Sequence, residues 1–277
     1  MQTHPWNTDF EWSSHRPTQA RLLDEEQLDA FDRDGFLVLT DLFDDNTVSE
    51  LRQALDDEEA RADAFLQQMP DQRVSIAESG AITFAPHAVL RSPVARRFAG
   101  HRRLADLVHD LVGPDVRLYW DQLVYKKPEK PRLFPWHQDN GYTFVAPQQY
   151  LTCWVALVDA TVDNGCPWVV PGLHRGGTLR HEWREPLGFE CFDDHPDAVA
   201  AEVPAGGVVV FSSLTPHKTG PNLTTDVRKT YILQYAPDGS EIWGGDPAAG
   251  PPSEHTPADD PDRQFVVVSG GRPVGDD

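Results

Sequence analysis

Three things are scarce in this chain of 277 residues. Basic residues are outnumbered, 24 lysines and arginines against 44 aspartates and glutamates, for a formal charge of −20. The broad positive face that a nucleic-acid partner requires therefore has little to be built from. Cysteine comes next, with Cys153, Cys166 and Cys191 only, an odd number without paired spacing. That excludes a disulfide framework, gives no zinc pattern, and fits a reducing, cytoplasmic setting. Long apolar runs are the third absence. No stretch approaches the roughly 18 residues that a membrane-spanning helix needs, and Met1–Trp6 is not a basic region leading into an apolar one. A soluble chain remains, long enough to bury a core, whose acidic excess serves solubility before it says anything about a pocket.

In order, residues 1–22 form a polar arm with Trp6, Phe10 and Trp12, and its sequence leaves open whether it lies on the body or is partly disordered. Asp24, Glu25 and Glu26 ahead of Leu28 and Phe31 predict a short helix closed before Gly35, followed by a strand at Phe36–Leu39. Thr47-Val48-Ser49-Glu50 is a capping box, and Val48, Leu51 and Leu55 continue at helical spacing toward Met69. Ser92-Pro93 opens a third helix that Gly113-Pro114 stops. Beyond it come short segments separated by Gly, Pro and Asp, predicting strands at 116–127, 133–138, 150–159, 167–170, 201–204, 207–212 and 228–236. Many short strands behind a helical front half imply a mainly β fold, a double-stranded β-helix or jelly roll of cupin-like type buttressed by the N-terminal helices. The reading is one domain over 1–277: arm 1–22, core 25–236, and a loose tail 237–277 with one candidate strand at Phe265–Val268.

The chemistry gathers at Trp136-His137-Gln138-Asp139-Asn140-Gly141-Tyr142. On a strand, His137 and Asp139 emerge on one face, a two-point clamp for a metal. His217 offers a third ligand, and two imidazoles with one carboxylate make the facial set of non-haem iron(II) oxygenases. The same spacing recurs at His195-Pro196-Asp197, but proline and a lack of apolar alternation make that copy a loop. Eleven residues past His217, Arg228 and Thr230 share a strand face, so a guanidinium and a hydroxyl point to one spot. An inward arginine without a partner is expensive to bury, and a carboxylate cosubstrate would relieve that cost.

With these residues assembled, the chain resembles the phytanoyl-CoA dioxygenase family of iron(II)/2-oxoglutarate oxygenases over about residues 25–236. The matching elements are His137-Gln138-Asp139, His217 with Gly220-Pro221-Asn222, Arg228 with Thr230, Asn164-Gly165 leading to Val170-Pro171-Gly172-Leu173-His174, and the strands Cys153–Asp159 and Asp34–Leu39. Leu173 departs from the small polar residue usual before that histidine, which touches a loop and not the triad. The resemblance implies iron(II) on His137, Asp139 and His217, with 2-oxoglutarate and dioxygen as cosubstrates. Its far carboxylate would meet Arg228 and Thr230, with Gln122 and Trp154 beside it. The implied reaction couples decarboxylation to succinate and CO₂ with attack on an unactivated C–H bond, hydroxylation by default. An intact Asp139 speaks against the halogenases, which carry a small residue there.

Tyr142 and Trp168 are the leading candidates for a small-molecule substrate, with Phe144, Trp183 and Trp243 behind them, each also explicable as core or lid packing. His174 reads as a loop anchor, and His87, His101 and His109 as surface or packing residues. Two other classes stay open at this point: a metal enzyme of the same barrel that does not use 2-oxoglutarate, and a catalytically silent binding protein. Lys126, Lys127, Lys130 and Arg132 cluster only loosely, so a free small molecule is favoured over a CoA thioester.

Overall fold

The computed structural model describes residues 1–274. Helix α1 (Glu25–Asp34) begins at Asp24, whose carboxylate accepts from the Gln27 amide while the Gln27 side chain accepts from the Asp24 N–H. It stops at Gly35, where φ is +79°, and strand β1 (Phe36–Leu39) follows. Helix α2 (Asp45–Leu66) starts earlier than the Thr47–Glu50 box suggests, because Asp44 caps it by accepting from the Thr47 amide. Three short strands follow, β2 (Arg73–Val74), β3 (Ala77–Glu78) and β4 (Ile82–Pro86). The expected third helix is two, α3 (Pro93–Ala99) and α4 (Arg102–Leu111), because the chain breaks at Gly100 and His101 caps the second by accepting from the Arg103 amide.

The strand-rich half runs β5 (Val116–Lys126), β6 (Phe134–His137), the single turn α5 (Asp139–Tyr142), β7 (Val145–Ala146), β8 (Leu151–Ala156), β9 (Pro167–Val169), β10 (Glu182–Arg184) and β11 (Gly188–Glu190). It continues with β12 (Val199–Ala200), β13 (Val208–Ser212), β14 (His217–Thr219), β15 (Arg228–Pro237), β16 (Glu241–Gly244), β17 (Glu254–Pro257), β18 (Val266–Ser269) and β19 (Arg272–Pro273). No strand forms at 201–204. Val203 makes only an isolated bridge to Ala160, and pairing in that region falls two residues earlier, in β12.

One sheet carries the order β1-β13-β8-β15-β5-β4-β3-β2, with β18 on β5, and a second the order β12-β9-β14-β6. This is the jelly roll. Alternation sorts the side chains of the larger sheet: Tyr231, Leu233 and Tyr235 of β15 join Cys153 and Val155 of β8 in a core covered by Leu28, Phe31, Leu51, Leu55, Phe98 and Leu107 of the helices. Each such side chain contributes about 1.5–3 kcal/mol by leaving water. The opposite face of the same strands, with Arg228, Ile232 and Gln234 on β15, lines a cavity.

The N-terminal arm lies on the body. Trp6 is buried against Phe144 and donates its indole N–H to Gly250 O at 2.7 Å, and Thr3 bridges Leu179. The arm is secured near its end by buried Asp110, whose carboxylate accepts from the amides of Arg21, Leu22 and Leu23. The stretch expected as a loose tail carries β16 to β19: β16 pairs with β7 and β17, and the candidate strand near Phe265–Val268 is β18 on β5.

Gly35 couples the helical layer to the barrel. Its carbonyl accepts from the Ser212 amide at 2.9 Å and from Thr215 Oγ1 at 2.7 Å, and an added Cβ would collide with the His174 ring and lie 2.7 Å from Thr215 Oγ1. Gly35→Ala is therefore expected to cost about 2–4 kcal/mol, from a left-handed φ together with overpacking. Urea unfolding of the variant beside the parent checks this, and a loss under about 1 kcal/mol contradicts it.

Candidate metal centre

Strand β6 ends at His137, and the chain then turns into α5 instead of continuing extended. The strand-face argument from sequence thus reaches the right pair by the wrong local geometry. Gln138 points away from the site and pins the turn, donating to Gly177 O and Leu214 O and accepting from the Leu179 amide. Asn140 accepts from the Val145 amide and donates to Thr178, while a Cβ on Gly141 would collide with the His181 ring. His217 arrives from across the sheet, since β14 pairs with β6 and sets His217 opposite His137.

The three side chains converge. Asp139 Oδ1 lies 3.9 Å from His137 Nε2 and 3.7 Å from His217 Nε2, and the candidate ligand atoms all lie within 4.8 Å of one another. Each imidazole is oriented by its own backbone, with Nδ1 2.8 Å from Pro135 O in His137 and 3.0 Å from Thr215 O in His217. That leaves both Nε2 atoms facing Asp139 as acceptors, the arrangement a metal-binding histidine requires. Thr152 donates to Asp139 Oδ2 at 2.5 Å, holding Oδ1 toward the histidines. Burial, with His217 alongside, keeps His137 well below the ordinary histidine value, so it is a neutral donor. Two imidazole nitrogens and one carboxylate oxygen on one side of a cavity suit iron(II).

The cavity holds about 410 Å³ and runs from the triad to Arg228. Arg228 is 1% exposed, and its Nε and Nη1 have no hydrogen-bond partner. Trp154 supports it, with the ring centroid 5.0 Å from Cζ. Opposite Arg228 in the β15–β5 register stands Lys126, also 1% exposed, whose ammonium donates to the carbonyls of Arg132, Thr219 and Gly220. Burial lowers both basic groups, Arg228 to about 9, and neither has a carboxylate partner among the described residues. Two adjacent buried cations without an anion are costly, and an acidic ligand relieves both.

Of the other residues singled out from sequence, Gln122, Trp154 and Tyr142 line the cavity. Thr230 shares the strand face of Arg228 and Ile232 but is not among the residues that line the cavity, and its hydroxyl donates to Val155 O at 3.0 Å. Thr219, two residues beyond His217, lines the wall instead, and neither it nor Lys126 was anticipated. Trp168 is likewise misplaced by the sequence reading. It lies opposite Lys218 in β9–β14, within 5.8 Å of that ammonium, on the face away from His217. Phe144 and Trp243 stack on each other near Trp6, and Trp183 is exposed on β10. His174 is a buried anchor, with Nε2 3.2 Å from Asp32 O and Trp12 packed edge-on. His195 sits in its loop, accepting from the Asp197 amide.

Comparison with known proteins points the same way. The sequence model of the family described as phytanoyl-CoA dioxygenase (PhyH) matches residues 31–230. A probable phytanoyl-CoA dioxygenase of Caenorhabditis elegans is 28% identical over 248 residues, 79% of this chain and 77% of that protein. An ectoine dioxygenase of Sphingopyxis alaskensis is 36% identical over 174 residues, 60% of this chain and 53% of its own length, so this chain spans about half of that relative. Among solved structures, the epimerase SnoN, crystallised with Fe3+, alpha ketoglutarate and nogalamycin RO, superposes with a TM-score of 0.66 at 24% identity, over 86% of this chain and 96% of that one. That last likeness concerns the fold.

The orienting hydrogen bond to Asp139 gives a test independent of turnover. Thr152→Val is expected to weaken ferrous-ion binding about 10- to 100-fold while leaving the fold intact. Anaerobic calorimetric titration with Fe(II) reads it, and an unchanged affinity would show that Thr152 does not position the carboxylate.

Proposed function

The chain belongs to the phytanoyl-CoA dioxygenase family and is a dioxygenase dependent on iron(II), 2-oxoglutarate and dioxygen, and from that premise we propose that it hydroxylates an unactivated C–H bond of a small molecule. When bound, the iron with 2-oxoglutarate and dioxygen supplies the oxidant: one oxygen atom enters the C–H bond, the other enters succinate, and CO₂ is released. His137, Asp139 and His217 would hold the metal from one side, leaving the other side to cosubstrate and dioxygen. Arg228 would take the far carboxylate of the cosubstrate, fixed by the Trp154 ring beneath it, with Thr219 and Gln122 on the adjoining wall. Lys126 adds a second positive charge at that end without leaving its three carbonyls. A reducing, cytoplasmic setting is part of the proposal, and three free thiols support it.

The observation that carries the reading is Arg228 itself, buried at the end of the cavity that holds the triad, with two nitrogens unpaired. A barrel enzyme that did without 2-oxoglutarate would keep this charge buried to no purpose. Adding 2-oxoglutarate to the ferrous enzyme without oxygen should produce a visible charge-transfer band. Arg228→Met should raise the concentration for half-saturation at least about 30-fold, the equivalent of losing 2 kcal/mol or more from a buried charge pair. A band that saturates at the same concentration in the variant would remove the cosubstrate from this end of the cavity. Succinate release coupled to a substrate screen then tests the hydroxylation.

A further inference from the structure

The cavity divides in two. Its inner half holds the triad, Arg228 and Lys126, and every charged side chain that lines the cavity among the described residues is one of these five. The outer half is walled by Ile76, Phe84 and Trp120, and Ile82, Phe134 and Tyr142 mark the boundary, Ile82 standing opposite Lys126 and the two rings packing on His137. Its roof is two hairpins: β2–β3 brings Val74 and Ile76, and β10–β11 brings Gly188 and Phe189 against Tyr142, whose hydroxyl accepts from the Phe189 amide at 3.0 Å.

Charged groups around the outer half are turned on one another. Arg73 of one hairpin pairs with Glu185 of the other, and both Lys130 and Arg132 pair with Glu78. Arg132 Nη1 is left without a hydrogen-bond partner among the described residues, but Arg132 is outside the cavity lining. A phosphate, carboxylate or ammonium entering here would exchange water for wall residues that carry no charge of their own, at a cost of several kcal/mol.

Polar groups on the cavity wall without a protein hydrogen bond among the described residues include the amides of Gln234 and Gln122 and the Trp120 indole N–H, and of these Gln234 lies nearest the Asp139 support. Gln234, on the inward face of β15 opposite Trp120 and Thr152, is 7% exposed, and its amide makes no hydrogen bond among the described residues. Thr152 in turn holds Asp139, so the amide lies one strand pair from the metal site. A free buried amide offers one donor face and one acceptor, which suit a hydroxyl or carbonyl. Burial pushes the nearby Tyr119 up to about 12, so its hydroxyl also stays neutral.

We infer that the substrate is an uncharged, largely apolar molecule bearing a neutral hydroxyl or carbonyl, seated under the two hairpins against Phe84, Trp120 and Tyr142, with its polar group read by Gln234. The assignment rests on the oxygenase reading for the place where the chemistry occurs, and on the outer wall for the class of molecule. It sets this pocket apart from one built for a CoA thioester, a phosphonate or a zwitterion.

The test uses Nile red, an uncharged apolar dye with one carbonyl, added without oxygen to enzyme that holds Fe(II) and 2-oxoglutarate. The charge-transfer band is recorded before the dye goes in. The dye is expected to bind once per chain and saturably. Binding should weaken at least tenfold in Phe84→Asp, and also in Ile76→Asp, which lies on a hairpin and spares the barrel should the first variant misfold. Gln234→Leu should weaken it at least threefold, and millimolar ectoine, methylphosphonate or coenzyme A should not displace the dye. No saturable binding, binding indifferent to both aspartates or to Gln234→Leu, or displacement by any of the charged compounds overturns the inference. A missing band at the first step is a separate failure, that of the oxygenase reading, whereas a normal band with any of the overturning results removes the substrate class alone.

Discussion

The pairing of β14 with β6 is the constraint on which the site depends. It places His217 directly opposite His137, and a slip of one residue would send the second imidazole to the other face of the sheet. Three residues of β14 cannot hold such a register alone. It is fixed from outside: the Gln138 amide grips Leu214 O just ahead of β14, and the Gly35 carbonyl receives the Ser212 amide and Thr215 Oγ1. The backbone that presents His217 is thereby bonded both to the turn that presents Asp139 and to the end of α1. Thr215 then supplies the carbonyl that orients the His217 ring. Fold and ligand geometry share the same few atoms.

Charge in this protein has to be weighed locally. The chain carries a net −20, yet the base of its cavity is positive. The acidic excess is spread over a solvated surface, where charges farther apart than about 8–10 Å are largely screened. Arg228 and Lys126 are opposite each other in the β15–β5 register and both are buried, where screening is weak, so their effect on a ligand exceeds that of the distant surface carboxylates. Three carbonyls solvate Lys126, and Arg228 keeps two nitrogens free. The unmet demand for an anion therefore falls on the arginine.

Much of this was legible in the sequence, for identifiable reasons. His137, Asp139, His217 and Arg228 stood out because their residue types carry specific chemistry and flank strong apolar runs. The long strands β5, β8, β13 and β15 were legible because alternation over many residues is hard to mistake. What failed depended on contacts between distant segments. Thr230 and Thr219 are equally good sequence candidates, and the Val155 carbonyl across the ladder takes up the hydroxyl of the first while the second lines the cavity. Trp168 shares a strand with nothing that betrays its face, and the pairing of β9 with β14 decides it. Lys126 reads as one of a loose basic group until β5 meets β15. The stretch 237–274, rich in glycine and proline, has little strand propensity of its own and is ordered by edges that β7 and β5 offer. The break at Gly100 was visible as a glycine, but whether a lone glycine interrupts a helix depends on what packs around it.

The two halves of the cavity are built from different material. Arg228 sits on a strand held on both sides by long ladders, β15 pairing with β5 over ten positions and with β8 over six. The metal ligands sit instead on the short strands β6 and β14 and the turn α5, held in place by the bonds of Gln138, Thr215 and Thr152. Chemistry of this kind tolerates little displacement, and the ladders and these bonds limit it. The roof over the outer half rests on β2, β3, β10 and β11, strands of two or three residues joined across the opening by one exposed ion pair. Such hairpins are marginal in isolation, and an exposed ion pair adds under about 1 kcal/mol. Local opening of the roof is therefore cheap relative to any change in the barrel. The hydrogen bonds that orient the metal ligands, from Pro135, Thr215 and Thr152, all lie outside the hairpins. Hairpin β10–β11 is nevertheless tied to the ligand segments through Phe189 to the Tyr142 hydroxyl and through Cys191 to Trp136 O, so of the two hairpins β2–β3 is the one whose opening leaves those segments untouched.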